Sequence, residues 1–93
     1  MRVKWDPHKS KLLTQNPERR TSFEDASALV ETLDNQLAGD LKTDDPEQYF
    51  VIGFVNEKLI TLVYEFRMDD EGEYIWLVTL WKTTPQERKK YSI

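Results

Sequence analysis

The stretch that decides the fold runs from Tyr49 to Lys82 and reads YFVIGFVNEKLITLVYEFRMDDEGEYIWLVTLWK. It holds three apolar runs, Tyr49–Val55, Leu59–Arg67 and Glu73–Trp81. Each is rich in aromatic and β-branched residues, which suit a pleated, packed surface. Asn56-Glu57-Lys58 reads as a tight turn, and Met68–Gly72 as a second turn around an acidic tip. Turns this short join antiparallel neighbours. The runs are apolar at successive positions, so both faces of the sheet should be covered, or one should be paired at an interface. Helices of the same chain can cover one face, which leaves the other as a candidate binding surface.

Working outward, the flanks carry helix signals. Val3-Lys4-Trp5 reads as a short extended piece, and Asp6-Pro7 as a helix start. An aspartate accepts from free helix N–H groups, and proline fits the first helical position. This helix should run to about Gln15 and stop at Asn16-Pro17, because a residue before proline avoids the α region. Leu12 and Leu13 are its expected buried contacts. A second helix is predicted after the cap Ser22, with Phe23, Ala26, Leu29, Val30 and Leu33 near 3.6-residue spacing. Residues 34–47 are polar, contain Gly39 and Pro46, and read as a loop with at most a short edge strand near Leu37. Thr84-Pro85-Gln86-Glu87 is a capping box for a last helix. The expected order is β-α-α-β-β-β-α, an α+β fold with a mainly antiparallel sheet in a single domain over residues 1–93.

Composition narrows the function classes. With no cysteine, disulfides and thiolate metal sites are excluded. No apolar run approaches the roughly 18 residues that cross a bilayer, and no basic-then-apolar leader opens the sequence. The expectation is a cytoplasmic protein with no membrane partner. The net charge of −4 is unevenly spread: residues 1–20 carry +4, residues 21–47 carry −7, and residues 48–93 carry −1. Nucleic-acid binders usually present a basic stripe. Here only local patches are basic, at Lys9, Lys11, Arg19 and Arg20 and at Lys82, Arg88, Lys89 and Lys90. The plain reading of such patches is a solvated helix face.

Most chemistries find no residues to run on. His8 is the single histidine and has no ligand cluster around it. Gly39, Gly53 and Gly72 are too widely spaced for a phosphate loop, and no nucleophile triad is visible. The acidic tip Asp69-Asp70-Glu71-Glu73 lacks calcium-loop spacing and reads as a solubilising turn. No metal and no cofactor is expected. What remains is the junction between the last strand and the last helix. A metal-free nuclease needs cations to hold the phosphate and groups to move protons. Arg67, Lys82, Arg88, Thr79, Tyr64 and Tyr91 are the polar groups on offer. Tyr74, Trp76 and Trp81 are able to stack bases, but core or interface packing is the plainer use of such rings.

Four blocks together resemble a known family. They are V-K-W-D-P-x-K at Val3 to Lys9, S-F-E-D-A at Ser22 to Ala26, I-G at Ile52-Gly53, and K-T-T-P-Q-E-R-K-K-Y at Lys82 to Tyr91. Their order and near-complete coverage resemble the BrnT toxins, RelE-like ribonucleases of type II toxin–antitoxin systems. The resemblance implies a RelE-like fold, RNA as substrate, and a ribbon-helix-helix antitoxin of BrnA type as partner. The sequence also departs from the family pattern. Glu18-Arg19-Arg20-Thr21 stands where the family has Lys-His-Gly, and Gln48 or Tyr49 where it has an arginine. Trp76 and Trp81 stand for two more arginines, and Thr79 for a serine. A tryptophan offers one N–H where an arginine offers a charged fork.

Two main readings follow, and the acidic balance argues against a third, a weak nucleic-acid stacker without catalysis. In the first, the chain is an active ribonuclease with Arg67, Lys82 and Arg88 catalytic and Lys9, Arg19, Arg20, Thr79 and Tyr91 binding RNA. In the second, it is a catalytically weakened member that acts as a protein-binding module. Trp76 and Trp81 would then anchor the antitoxin-like partner, or a second copy of the chain in a homodimer.

Overall fold

The computed structural model describes residues 1–17, 19–32 and 36–93. The order is β1 (Arg2–Lys4), α1 (Pro7–Gln15), α2 (Phe23–Ala26), α3 (Ala28–Glu31), β2 (Gln36–Asp44), β3 (Glu47–Val55), β4 (Lys58–Asp69), β5 (Gly72–Lys82) and α4 (Pro85–Lys90). The strands form one sheet in the order β1-β5-β4-β3-β2. β1 lies parallel to β5, and every other pairing is antiparallel. The chain is therefore a small α+β domain with a five-stranded, mostly antiparallel sheet.

The predicted helix starts hold. Asp6 accepts from the His8 N–H at 2.9 Å, and Ser22 from the Asp25 N–H at 3.1 Å. Asn16, which precedes Pro17, is extended and ends α1. The expected turn at Asn56-Glu57 is a two-residue hairpin loop between the paired Val55 and Lys58. Both loop residues have positive φ, 48° and 69°, the geometry that matches strand twist in such loops. At the acidic tip, Asp69 pairs with Gly72, whose φ of +109° suits glycine.

Several expectations need correction. The region taken as a loop contains the nine-residue strand β2, paired along the outer edge of β3. Its polar composition fits an exposed edge, and β3 is the strand that pairs with its main-chain groups. Leu12 is 53% exposed, whereas Ser10 and Leu13, three residues apart on one face, are buried. The second helix is two short pieces, α2 and α3, broken at Ser27, whose hydroxyl donates to the Glu24 carbonyl at 2.8 Å. Phe23, Ala26 and Leu29 are fully buried as expected, and Leu33 lies outside the described residues.

The sheet is covered on both faces. On the first, Leu13, Phe23, Ala26 and Leu29 from the helices meet Val51, Val55, Ile60, Leu62, Ile75, Leu77 and Leu80. On the second, Phe50, Ile52, Leu59 and Val63 meet Val78, Trp81, Tyr91 and Ile93. The second core is the smaller, and α4 with the last residues forms its lid.

Candidate functional site

The two N-terminal blocks that carry the family resemblance meet in space. The Trp5 indole N–H donates to Glu24 Oε1 at 3.2 Å, and the Ser10 hydroxyl to Glu24 Oε2 at 2.7 Å. Ser10 in turn accepts from the Phe23 N–H at 2.9 Å. The Ser10 hydroxyl bond is the main reason the Glu24 carboxyl titrates below its ordinary range. These residues tie β1 and α1 to α2. They form a structural clasp, and the carboxylate is occupied.

The C-terminal block is tied in the same manner. Glu87 completes the capping box: its N–H donates to Thr84 Oγ1 at 3.1 Å, and its Oε1 accepts from the Thr84 N–H at 2.9 Å. The same Oε1 accepts from the Trp81 indole N–H at 2.8 Å, and Oε2 from the Thr61 hydroxyl at 3.2 Å. Thr61 also bonds Thr83 at 3.0 Å. Burial pushes the Glu87 carboxyl up, but these donors together outweigh it and hold it below the ordinary value. A carboxylate so fully engaged is poorly placed to serve as a general base.

The second face continues past α4 toward the β4–β5 tip. Strand alternation puts Arg2, Lys4, Gln48, Glu65, Arg67, Asp69, Tyr74 and Trp76 there, opposite the inward Val3, Tyr64, Ile75 and Leu77. A bulge on β5 interrupts the β4–β5 register between Val63 and Tyr64. It resets the alternation, so Trp76 and Trp81, five positions apart, share this face with the half-buried Thr79. Strict period-two reading of the sequence misses this.

The cations on this face toward the β4–β5 tip are engaged. Arg2 grips Asp69 through two nitrogens, at 2.8 and 3.0 Å, and reaches Glu71 at 3.3 Å. Lys4 bonds Asp69 at 3.0 Å. Arg2 and then Lys4 hold the Asp69 carboxyl far below its usual range. Both cations also lie over the Tyr74 ring, at 5.4 and 4.8 Å. The Arg67 guanidinium lies over the Trp76 ring at 4.7 Å and bonds Glu65 at 3.4 Å. Gln48 donates to the same Glu65 at 3.2 Å. Three cations thus face three carboxylates, and the surface carries no net excess of positive charge.

The candidate catalytic residues do not converge. Arg67 pairs across the hairpin with Tyr74, and Lys82 with Ile60. Seven residue steps along β4 separate these rungs, roughly 23 Å at the rise of a strand. Lys82 shares the face of Ile60, the helix-covered one, so it points away from Arg67. Arg88 is exposed on α4. The candidate RNA-binding residues divide as well. Lys9 lies on α1, and Arg19 and Arg20 lie in the α1–α2 connection, where the Arg20 carbonyl accepts from Lys58 at 3.4 Å. Thr79 and Tyr91 belong to the other face, Tyr91 with its ring 5.3 Å from that of Phe50. Of the partner-binding candidates, Trp81 is bonded to Glu87 and Trp76 is roofed by Arg67. Both are half-buried.

Among the described residues no group of histidine, cysteine, aspartate and glutamate side chains could hold a metal ion, and no helix is long and apolar enough to cross a membrane. The acidic tip is more than a solubilising turn, since Asp69 fastens it to β1 through Arg2 and Lys4. Sequence reasoning also passed over an aromatic cluster on the helix-side face: Tyr49 stacks on Tyr64 at 5.7 Å, and Phe66 packs edge-on against both. Phe66 is 45% and the nearby Met68 74% exposed. Alternating residues on β3 and β4 held this signal. No protein-family model matches the chain, and no curated protein sequence matches it.

Proposed function

We propose that this chain is the toxin-type member of a type II toxin–antitoxin pair, BrnT-like with a RelE-like architecture, which acts by binding a ribbon-helix-helix partner and has lost most of its ribonuclease power. The support for kinship is the resemblance of the four sequence blocks. The clasp at Glu24 is in keeping with it, because it gives the first two blocks a physical reason to occur together. A cytoplasmic site of action goes with this reading.

The observation that carries the loss of catalysis is the dispersal of Arg67, Lys82 and Arg88, with Arg67 already held by Trp76 and Glu65. Phosphoryl-transfer chemistry without metal depends on several preorganised donors around one phosphate, and each missing donor typically costs on the order of 100–1000-fold. Trp76 and Trp81 supply ring faces and single N–H groups in place of charge. They are the residue types that anchor protein interfaces.

The test is incubation of the purified chain, free of partner, with an end-labelled structured RNA, beside an Arg67→Ala/Lys82→Ala double variant. The expected result is no cleavage by the chain above that of the variant. Strong cleavage by the parent that disappears in the variant would overturn the proposal in favour of an active ribonuclease.

A further inference from the structure

A cavity of about 310 Å³ opens between α4 and the second face of the sheet, beside β2. Phe50, Trp81 and Tyr91 are among its walls, and Lys42 and Lys90 stand on it as well. The Phe50 and Tyr91 rings are 5.3 Å apart and tilted by 47°, and the Lys90 ammonium lies 5.4 Å from the Tyr91 ring centre. We propose that this cavity binds a small, flat aromatic anion, a ring system that carries one carboxylate or phosphate group.

Three aromatic walls favour a flat ring over an aliphatic chain, since offset and edge-on ring contacts add to plain burial. The volume is at the lower end of ligand pockets, roughly 300–1,000 Å³, and has room for one small ring system. The sign of the charge follows from the lining. Lys42 and Lys90 contribute two positive charges, and neither forms an ion pair among the described residues. Glu87 is the one carboxylate among the lining residues, and its oxygens already accept from Trp81, Thr84 and Thr61. The balance at the cavity is positive in a chain that is acidic overall. The cavity shares Trp81 with the partner-binding surface of the toxin reading, but its test asks nothing of RNA cleavage or of a partner.

The experiment is a titration of the full ¹⁵N-labelled chain with 2-naphthoate, 2-naphthyl phosphate and the neutral 2-naphthamide, read at the Trp81 indole N–H. The signal is expected to move with one or both anions, with a dissociation constant of about 1 mM or below. Naphthamide should bind about tenfold more weakly, and a Lys42→Met/Lys90→Met variant should lose about tenfold for the anions. The tighter of the two anions identifies the acid group. Both lysines are exposed, and a dispersed spectrum of the variant confirms that it folds. The proposal is overturned if neither anion moves the Trp81 signal up to roughly 10 mM, if naphthamide binds equally well, or if the folded variant binds as the parent does.

Discussion

Glu57 occupies a backbone position that glycine would fill more easily. Its φ is 69°, directly after Asn56 at 48°, in a two-residue loop for which Asn-Gly is the favoured pair. Glu57→Gly should therefore stabilise the fold by about 0.5–1 kcal/mol, the relief of left-handed strain less the added freedom of the unfolded chain. A higher urea midpoint with an unchanged slope is the expected readout; a lower midpoint would show that the side chain contributes more than its backbone strain. Leu29 presents the opposite case. It is fully buried between α3 and the sheet, and Leu29→Ala should cost about 2–5 kcal/mol by denaturant unfolding. Leu12, one position before the buried Leu13, is exposed. Leu12→Ala should change stability by less than about 0.5 kcal/mol in the same assay. The sequence gives two adjacent leucines on a helix with no means of telling them apart. The difference arises from where α1 meets Phe23.

At the scale of elements, α4 is only six residues long, too short to hold itself. Its start is secured by Thr84 and Glu87, and Glu87 is secured by Trp81 and Thr61. Thr84→Ala should cost about 1 kcal/mol. It should also loosen Tyr91 and Ile93 over Phe50, which amide exchange in residues 85–93 would register as faster opening than in β3 and β4. Equal exchange in both regions would argue that α4 opens only with the whole domain. The capping box is legible in the sequence because caps are local, with partners three residues apart. The bond from Trp81 is not, because it needs a strand end and a helix start held at one angle. β2 shows the same limit. A stretch such as Gln36–Asp44 becomes a strand when an open edge of β3 offers its main-chain groups partners, and composition does not register that offer.

At the scale of the whole molecule, three carboxyls among the described residues are held below their ordinary titration range. Ser10 is the chief cause at Glu24, and Arg2 and Lys4 at Asp69; at Glu87 burial works the other way and is outweighed by Thr84, Trp81 and Thr61. A carboxyl with a lowered folded value binds fewer protons folded than unfolded, so its contribution is present above the unfolded value, about 4, and fades as pH falls through the folded value. Thermal stability should accordingly decline from about pH 5 downward. Glu24→Gln should flatten that decline, although the clasp to Trp5 and Ser10 is weakened at neutral pH. A melting temperature unchanged between neutral and strongly acidic pH would contradict this account. Both effects join elements far apart in the chain: Asp69 fastens the β4–β5 tip to β1, and Glu24 fastens β1 and α1 to α2.

By itself the sequence determined the central strands, the tight turns and the helix starts. Those depend on short-range backbone preference and on side chains within a few residues of each other. It also determined the acidic balance and the types of residue available for chemistry. Only the tertiary structure decided which of them meet. Pairing across the β4–β5 hairpin sends Arg67 and Lys82 to distant rungs and opposite faces, and the bulge in β5 brings Trp76 and Trp81 to one face. Folding α4 onto the sheet then turns Trp81, Phe50 and Tyr91 into the walls of a cavity. The physical reason is register. A shift of one residue in strand pairing changes which face a side chain joins, and register is set by long-range packing on both faces of the sheet.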